Sequence, residues 1–340
     1  MSASQAVGGD PDTETTQAPV GARLRGRPLS YWLSAYALVI AFVLMIVVYS
    51  VLAPSTFPTW GNVRTIIGTQ AVLLLLTLGL TIPLVTGDFD LSIGSLLGLS
   101  AVMCTWLTGT HGWPAAPAVV VCLLLGLAVG ALNAFFIVRI GVGAFIATLA
   151  SGTILTGIAV AISAGQVLSG VAPSITDVAS KTFLGLPIPV YIALGFAIFL
   201  WYVYEHTPVG RYLFFLGAGR DTARLAGLRV DVLRWGAFMS SAFVASAAGI
   251  LAAGSFGGTV PGFGDAYLLP AFAGAFLGAT AIRPGRFNVW GTVIAVYFVI
   301  TGVTGLQLLG ASDWVEQVFN GAALLVAVSF GVLTSRARRS

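Results

Sequence analysis

The sequence predicts an all-α polytopic membrane protein with about ten transmembrane helices, and three observations support this fold class. Of its 340 residues, 57% are hydrophobic and only 8% are charged, whereas a soluble domain carries about 25% charged residues. Apolar runs recur at the length that crosses a bilayer, about 20 residues per helix. The basic residues fall between these runs rather than on one face, so the net charge of +4 does not indicate nucleic-acid binding.

The candidate spans follow one another with short polar connections. They cover residues 31–53, 63–85, 91–109, 115–138, 142–163, 188–204, 232–254, 266–281, 288–309 and 313–333. Residues 1–30 have the composition of a disordered tail and lack the cleavage site of a signal peptide. Residues 31–333 therefore form one transmembrane domain, followed by a second short tail at residues 334–340.

The basic residues also orient the spans. With the N-terminus inside, 14 of the 16 lysine and arginine residues lie on the inner side, and Arg64 and Lys181 lie outside. Inner loops of membrane proteins are enriched in these residues, so we expect an even number of spans and both termini in the cytoplasm. Two halves of five spans would be inverted relative to each other. Gly- and Asp-containing breaks after the second and seventh runs are compatible with such a 5+5 inverted repeat.

The loop at residues 205–234 is the longest basic segment between two spans. Asp221 can accept a hydrogen bond at a helix N-terminus there, and Gly227 suits the left-handed position at the helix end. A helix of under two turns needs packing partners. Two interpretations stay open: a surface helix that receives force from a soluble motor protein, or an ordinary inner loop made basic by topology.

A second polar stretch, residues 85–95, carries the carboxylates Asp88 and Asp90 between two apolar runs. Carboxylates near hydrocarbon usually mark a function or a helix end, and Asp90 or Ser92 can cap the third span. The stretch is predicted either as a broken helix that lines a solute path or gate, or as a tight cytoplasmic turn.

Glycines mark further connections. Gly94 and Gly98 have the spacing of close helix contacts. The glycine-rich residues 254–265 predict a plain loop or a flexible gate, and the outer residues 164–187 predict a partner surface or a linker. The basic turn at residues 283–286 is interpreted as orientation charge only.

Several kinds of chemistry lack their sequence patterns. Lys181 is the only lysine, and it lies outside any P-loop motif. Cys104 and Cys122 lack metal-ligand spacing, and no hydrolase motif is present. We therefore expect no catalytic residue, no metal site and no cofactor bound by this chain. The alternative to an externally powered transporter is an ion-coupled secondary transporter that uses Asp88 and Asp90.

Three motifs resemble those of the permease family of bacterial ABC importers for ribose, other monosaccharides and related compounds. The family's Thr-Gly-Gly-x-Asp-Leu-Ser-x-Gly-Ser is matched by residues 86–95, and its Phe-Ile-x-Thr-Leu by residues 145–149. Its Gly-Arg, with the following Ala-x-Gly and Ala-Arg-Leu-x-Gly segments, is matched by residues 210–211 and 218–228. The resemblance covers residues 53–330.

The resemblance implies a membrane-spanning permease subunit in the bacterial cytoplasmic (inner) membrane, with a path for a sugar or similar small polar solute. It implies a separate ABC ATPase that uses ATP and Mg, an extracytoplasmic solute-binding protein, and a second permease copy in a homo- or heterodimer. Membrane lipid surrounds such a subunit, and nucleic acid is not a partner. The loop 205–234 would carry the coupling helix at about residues 220–227.

The resemblance also assigns two sets of site residues. Contact with the ATPase is assigned to Arg211, Gly217, Gly219, Arg220, Asp221, Arg224, Leu225 and Gly227. The translocation path or gate is assigned to Gly87, Asp88, Asp90, Ser92, Phe145 and Thr148.

The sequence departs from the family at four places, and these departures leave the solute open. Asp88 replaces a second glycine, Pro270 stands near a usual acidic position, and Gly278-Ala279-Thr280 replaces a glycine pair. The usual Ser- and Gly-rich turn that follows is Arg283-Pro-Gly-Arg286.

Overall fold

The computed structural model describes residues 29–337, and it describes the side chains of residues 35–329. This part of the chain is a helical bundle. Its α-helices are α1 (Leu29–Leu52), α2 (Trp60–Thr69), α3 (Ala71–Val85), α4 (Ile93–Thr105), α5 (Ala115–Ala134), α6 (Ala144–Ser163), α7 (Pro173–Ser180), α8 (Ile188–His206), α9 (Pro208–Ala218), α10 (Arg220–Leu225), α11 (Val230–Phe256), α12 (Leu268–Gly278), α13 (Val289–Leu308) and α14 (Trp314–Ala337). One π-helical turn extends α4 (Trp106–Thr110), another extends α5 (Phe135–Ile140), and a 3-10 helix precedes α12 (Phe263–Tyr267).

The all-α membrane class is confirmed, but the count of ten spans is not. Seven helices in the described residues are long and apolar enough to cross a membrane, and an eighth span results if α2 and α3, which meet at 41°, are taken as one. The shorter apolar helices Phe263–Gly278 and Trp314–Ser329 lie where the eighth and tenth spans are predicted. At about 1.5 Å per residue, Phe263–Gly278 is shorter than a bilayer core of about 30 Å. Trp314–Ser329 is the part of α14 whose side chains the structure describes, and the whole helix has 24 residues.

Short strands order two connections that the sequence treats as loops or linkers. Strands β1 (Leu168–Ser169) and β4 (Gly258–Thr259) pair antiparallel, which joins the connection before α8 to the one after α11. Strands β2 (Thr182–Phe183) and β3 (Leu186–Pro187) form a hairpin. The glycine-rich segment is therefore not a plain loop, because its backbone groups are held by this strand pair and by the following 3-10 helix.

Helices α3, α4 and α11 form the centre of the bundle. All but one of the residues of α3 are buried, as expected for a helix that is apolar on every side. Gly249 lets α11 approach the Leu97 carbonyl of α4, where an added Cβ would collide. Ser100 donates a hydrogen bond to the Ser246 carbonyl at 2.9 Å. Small residues and polar bonds of this kind hold helices together inside membranes.

The predicted role of Gly94 and Gly98 in a close contact is confirmed. The partner is Gly264 of the 3-10 helix, and a Cβ added there would collide with the Gly94 carbonyl and the Gly98 backbone. Helix α4 packs against α5 and α6, and α12 packs against α13 and α14. The 5+5 inverted repeat itself stays a prediction.

The helical ends extend slightly beyond the predicted domain limits. Helix α1 begins at Leu29 and α14 ends at Ala337, whereas the sequence predicts a domain at residues 31–333. The rest of the two predicted tails, residues 1–28 and 338–340, lies outside the described residues.

Candidate functional site

The loop 205–234 folds into two helices between α8 and α11. Thr207 caps α9, because its side chain accepts a hydrogen bond from the Gly210 amide at 3.3 Å. Pro208 at the first helical position fits there, since a helix leaves its first amides without internal partners. Helix α9 leads directly into the short helix α10, with Gly219 between them.

The start of α10 differs from the prediction and its end agrees with it. Gly219 is the N-cap without a side-chain bond, so Asp221 does not cap the helix; it lies in the first turn, where a carboxylate is favoured by the helix dipole. Gly227 has φ +80°. The Gly227 amide donates to the Arg224 carbonyl at 2.9 Å, and the Leu228 amide donates to Ala223 at 3.0 Å. This pair of bonds is the Schellman motif.

Helix α10 has one buried face and one exposed face. Ala223 is fully buried in a cluster with Leu216 and Val230, which supplies the packing that so short a helix requires. On the outer face Leu225 is 90% exposed, and Arg224 forms an exposed ion pair with Asp231 at 3.5 Å.

The break between α3 and α4, residues 86–92, lies directly beneath this loop. Gly87 adopts φ +79°, a left-handed conformation that favours glycine. Gly217 of α9 lies on the Val85 carbonyl so closely that an added Cβ would collide with it. The loop therefore rests on the end of α3.

Asp88 connects the break to two other elements through a buried ion-pair cluster. Its side chain is only 2% exposed. Arg234 of α11 donates from Nε to Oδ2 at 2.8 Å and from Nη2 to Oδ1 at 2.8 Å. Arg220 of α10 donates from Nη2 to Oδ1 at 2.7 Å and to the Gly87 carbonyl at 3.3 Å. Bidentate arginine–carboxylate pairs fix geometry as well as charge.

This cluster joins one predicted path residue to one predicted coupling residue. Both oxygens of Asp88 accept hydrogen bonds from guanidinium groups, so Asp88 anchors the start of α10 and the first turns of α11 on the break. Arg220 of α10 is therefore in direct contact with the segment that leads into α4. Because two arginines hold both oxygens of Asp88, this geometry does not favour the ion-coupled alternative.

Asp90 forms a separate buried network further into the bundle. It is 1% exposed and accepts from the Ser92 amide at 3.1 Å and from Ser92 Oγ at 2.6 Å. Ser241 of α11 donates to it at 3.4 Å, and Asn133 of α5 donates to Ser92 Oγ at 2.9 Å. Ser92 occupies the N-cap position of α4 without a side-chain cap. The predicted capping by Asp90 or Ser92 is therefore wrong, because these groups bond each other and neighbouring helices.

Helix α6 holds the last residues of the break. Thr148 is fully buried; its hydroxyl accepts from the Leu91 amide at 3.0 Å and donates to the Ala144 carbonyl at 2.7 Å. Phe145 lies at the start of the same helix and is 54% exposed. The assignment of these residues to a solute path stays a prediction.

The basic turn after α12, residues 283–286, also contacts the loop 205–234. Arg283 forms an ion pair with Glu205, and the Arg286 guanidinium lies 3.6 Å from the centre of the Phe214 ring. Arg211, Phe214 and Arg286 line a cavity of about 750 Å³ between α9 and this turn. The turn is therefore more than orientation charge.

Sequence reasoning missed Arg234, Asn133 and the turn as partners. One signal was available for Arg234, which is a charged residue near the start of a long apolar helix opposite an unusual Asp88. Asn133 carried no comparable signal, because a single amide in an apolar span indicates no particular partner.

Comparisons with known proteins identify the family. The family described as "Branched-chain amino acid transport system / permease component" matches residues 62–328. The ribose import permease protein RbsC of Escherichia coli is 31% identical over 92% of this chain and 98% of its own length. The D-allose transport system permease protein AlsC of Escherichia coli is 26% identical over 90% and 94%.

A further relative extends the range of solutes. The autoinducer 2 import system permease protein LsrD of Photorhabdus laumondii is 30% identical over 75% of this chain and 78% of its own length. No solved structure matches the chain. The matches cover the ion-pair cluster, the break and the loop above it, and the chain thus belongs to the permease family of ABC importers, of the ribose and other-monosaccharide type.

Proposed function

We propose that this chain forms one half of the solute path of an ABC importer and that a separate ATPase drives it through α10. The observation that carries this proposal is the Asp88 cluster, in which Arg220 of α10 and Arg234 of α11 bind the same buried carboxylate. The protein is a multi-pass inner-membrane protein, and we place both termini and the loop 205–234 in the cytoplasm, as the arginine distribution favours.

The exposed face of α10 fits a docking role. Leu225 projects into solvent at 90% exposure, and Asp221 and Arg224 flank it on the exposed side. Apolar anchors surrounded by charges are typical of interfaces. ATP and Mg would be bound by the ATPase, and this chain would receive only its motion.

The solute is proposed to be a sugar or a similar small polar compound. The relatives are named for ribose, D-allose and autoinducer 2, whereas the family description names branched-chain amino acids. Similarity to the ribose permease extends over nearly the whole chain, which favours the sugar. A second permease copy, identical or not, and an extracytoplasmic solute-binding protein complete the proposed importer.

Reconstitution tests this function. Proteoliposomes that contain the permease, its ATPase and its binding protein should accumulate radiolabelled D-ribose or D-allose only with ATP, and should not accumulate L-leucine. Omitting the ATPase is the matched control. Accumulation driven by a proton or sodium gradient, without ATPase, would contradict the proposal.

The Arg220→Glu variant tests the route of coupling. It places a second carboxylate beside Asp88, and like charges at this distance repel. We expect ATP hydrolysis to continue while sugar uptake per ATP falls by about 10-fold, which corresponds to about 1.4 kcal/mol of lost coupling. Uptake per ATP equal to wild type would show that α10 is not the route.

A further inference from the structure

A carboxylate lies on an exposed face of the bundle, in the connection that the sequence treats as a plain loop or gate. Asp265 belongs to the 3-10 helix before α12 and is exposed. Ser95 of α4 donates a hydrogen bond to Asp265 Oδ1 at 2.7 Å. Thr156 of α6 lies 3.2 Å from Oδ2 and 3.3 Å from Oδ1. Three separate elements therefore meet at this one side chain.

The position of Thr156 along its helix indicates how deep in the membrane Asp265 and its two hydroxyl partners lie. Helix α6 runs from Ala144 to Ser163 and is itself a candidate span. At 1.5 Å per residue, Thr156 lies about 18 Å from the first end and about 10 Å from the second. The hydrocarbon core of a bilayer is about 30 Å thick. Asp265 is therefore held at a depth that lies within the membrane.

An exposed carboxylate at this depth cannot face lipid. Ionisable groups within spans almost always face the bundle interior or a water-filled cavity. The glycine contact described above explains how Asp265 reaches this depth: Gly264 packs against Gly94 and Gly98, which draws the connection back along α4. The exposed face that carries Asp265 therefore borders water inside the membrane.

The three side chains present hydrogen-bond acceptors. A hydroxyl has one proton to donate, and Ser95 and Thr156 each direct theirs at Asp265. Their lone pairs and the remaining acceptor positions of the carboxylate stay open, because an ionised carboxylate has about four such positions. Such a group binds a ligand that carries many hydroxyl donors and repels an anion.

The same face of α6 connects this group to the break. Thr148, Gly152 and Thr156 are spaced by four residues, so they lie along one side of the helix. Thr148 bonds the Leu91 amide at 3.0 Å, and Gly152 lies close to Ser95, whose Oγ is 3.3 Å from an added Cβ. Phe89, in the break, is 42% exposed. A shift of the break therefore changes the spacing between Ser95 on α4 and Thr156 on α6.

We propose that Ser95, Thr156 and Asp265 form a station in the translocation path that binds the hydroxyl groups of a neutral polyhydroxyl solute. The inference rests on the proposed function, since it names a recognition point for that solute. It adds a place where the permease itself, rather than the binding protein, selects against anionic solutes.

A labelling experiment tests the station without relying on transport. In the reconstituted permease, Thr156→Cys should react with a water-soluble cationic methanethiosulfonate reagent several-fold faster than with its anionic analogue, because Asp265 attracts cations. Adding Asp265→Asn should remove this preference. The native cysteines, Cys104 and Cys122, are buried, and Ile154→Cys on the same helix measures the background. Absence of labelling at Thr156→Cys, or labelling without charge preference, would overturn the proposal.

A transport experiment then measures the contribution to solute movement. In the complete importer, Asp265→Asn should lower D-ribose or D-allose uptake by about 10-fold, as expected for loss of one charge-assisted hydrogen bond, while ATP hydrolysis and assembly remain near wild type. Asp313→Asn, which removes an exposed carboxylate just before α14, should leave uptake unchanged.

The outcomes separate the two proposals. Wild-type uptake by Asp265→Asn would overturn the station and leave the proposed function intact. Loss of assembly in Asp265→Asn would also overturn it, since Asp265 would then hold the structure together rather than bind solute. Failure of the wild-type importer to accumulate either sugar would count against the proposed function, and the labelling result would still decide whether the station faces water.

Discussion

The two breaks in the bundle are held in opposite ways. Residues 86–92, after α3, are fixed by a buried carboxylate that two arginines neutralise. Residues 257–267, after α11, are fixed by a glycine contact, and their carboxylate, Asp265, bonds only hydroxyls and stays exposed. The first break is thus tied to the loop above it, as the proposed coupling route requires. The second presents a charge to water within the membrane, which suits contact with a solute.

Removing the buried charge of Asp88 should cause the largest loss of stability. Asp88→Ala leaves Arg234, whose side chain is 10% exposed, without its partner. Breaking a buried pair in this way costs about 3–5 kcal/mol in free energy of unfolding, and denaturation in detergent measures it. The double variant Asp88→Ala/Arg234→Leu should recover most of the loss. If Asp88→Ala unfolded like wild type, the cluster would not hold the first break.

Filling the glycine contact in the second break should cause the second-largest loss of stability. Gly264→Ala introduces a methyl group into the Gly94 and Gly98 backbone, and overpacking of this kind costs about 1–3 kcal/mol. The same denaturation experiment detects the loss. Gly157→Ala on α6 meets open space and should leave stability unchanged. Equal stability of the two variants would show that the contact can open without strain.

Gly217→Ala should affect transport more than stability. The methyl group would collide with the Val85 carbonyl, but α9 is partly exposed and can shift outward, so we expect a loss of about 1 kcal/mol in stability. Uptake per ATP should fall further, because the loop no longer rests on α3. Gly236→Ala, which meets open space, is the control. Normal uptake per ATP in Gly217→Ala would show that coupling does not depend on the close contact between α9 and the end of α3.

The exposed ion pair should contribute least. Arg224 and Asp231 lie 3.5 Å apart with more than half of each side chain exposed, and surface pairs contribute about 0–1 kcal/mol. Arg224→Ala should therefore keep wild-type stability in denaturation. Its effect should appear instead in co-purification with the ATPase, where Lys181→Ala, which removes the exposed ion pair with Asp177, serves as control. A stability loss as large as that of Asp88→Ala would contradict the contrast between buried and exposed charge.

Sequence reasoning succeeded where structure depends on neighbouring residues. The end of α10 at Gly227 follows from the conformational freedom of glycine. The four-residue spacing of Gly94 and Gly98 predicted a close contact but not its distant partner, Gly264. Most of the spans follow from apolar length alone.

It failed where residues far apart in the chain meet. Asp88 and Arg234 are separated by 146 positions, and Ser95 and Asp265 by 170, so no local pattern indicates either pairing. The predicted N-terminal cap of α4 was wrong for the same reason, because Ser92 Oγ accepts a hydrogen bond from Asn133 on another helix. The short apolar segment Phe263–Gly278 shows that composition alone does not fix a span count.

The pairing of β1 with β4 has a mechanical consequence. Its ladder covers two residues on each side, Leu168 opposite Thr259 and Ser169 opposite Gly258, and each backbone bond adds about 1 kcal/mol. This strand pair can therefore separate under a small force while the long helices stay packed. Separation of β1 from β4 would release the residues that lead into the 3-10 helix, and with them the segment that carries Asp265.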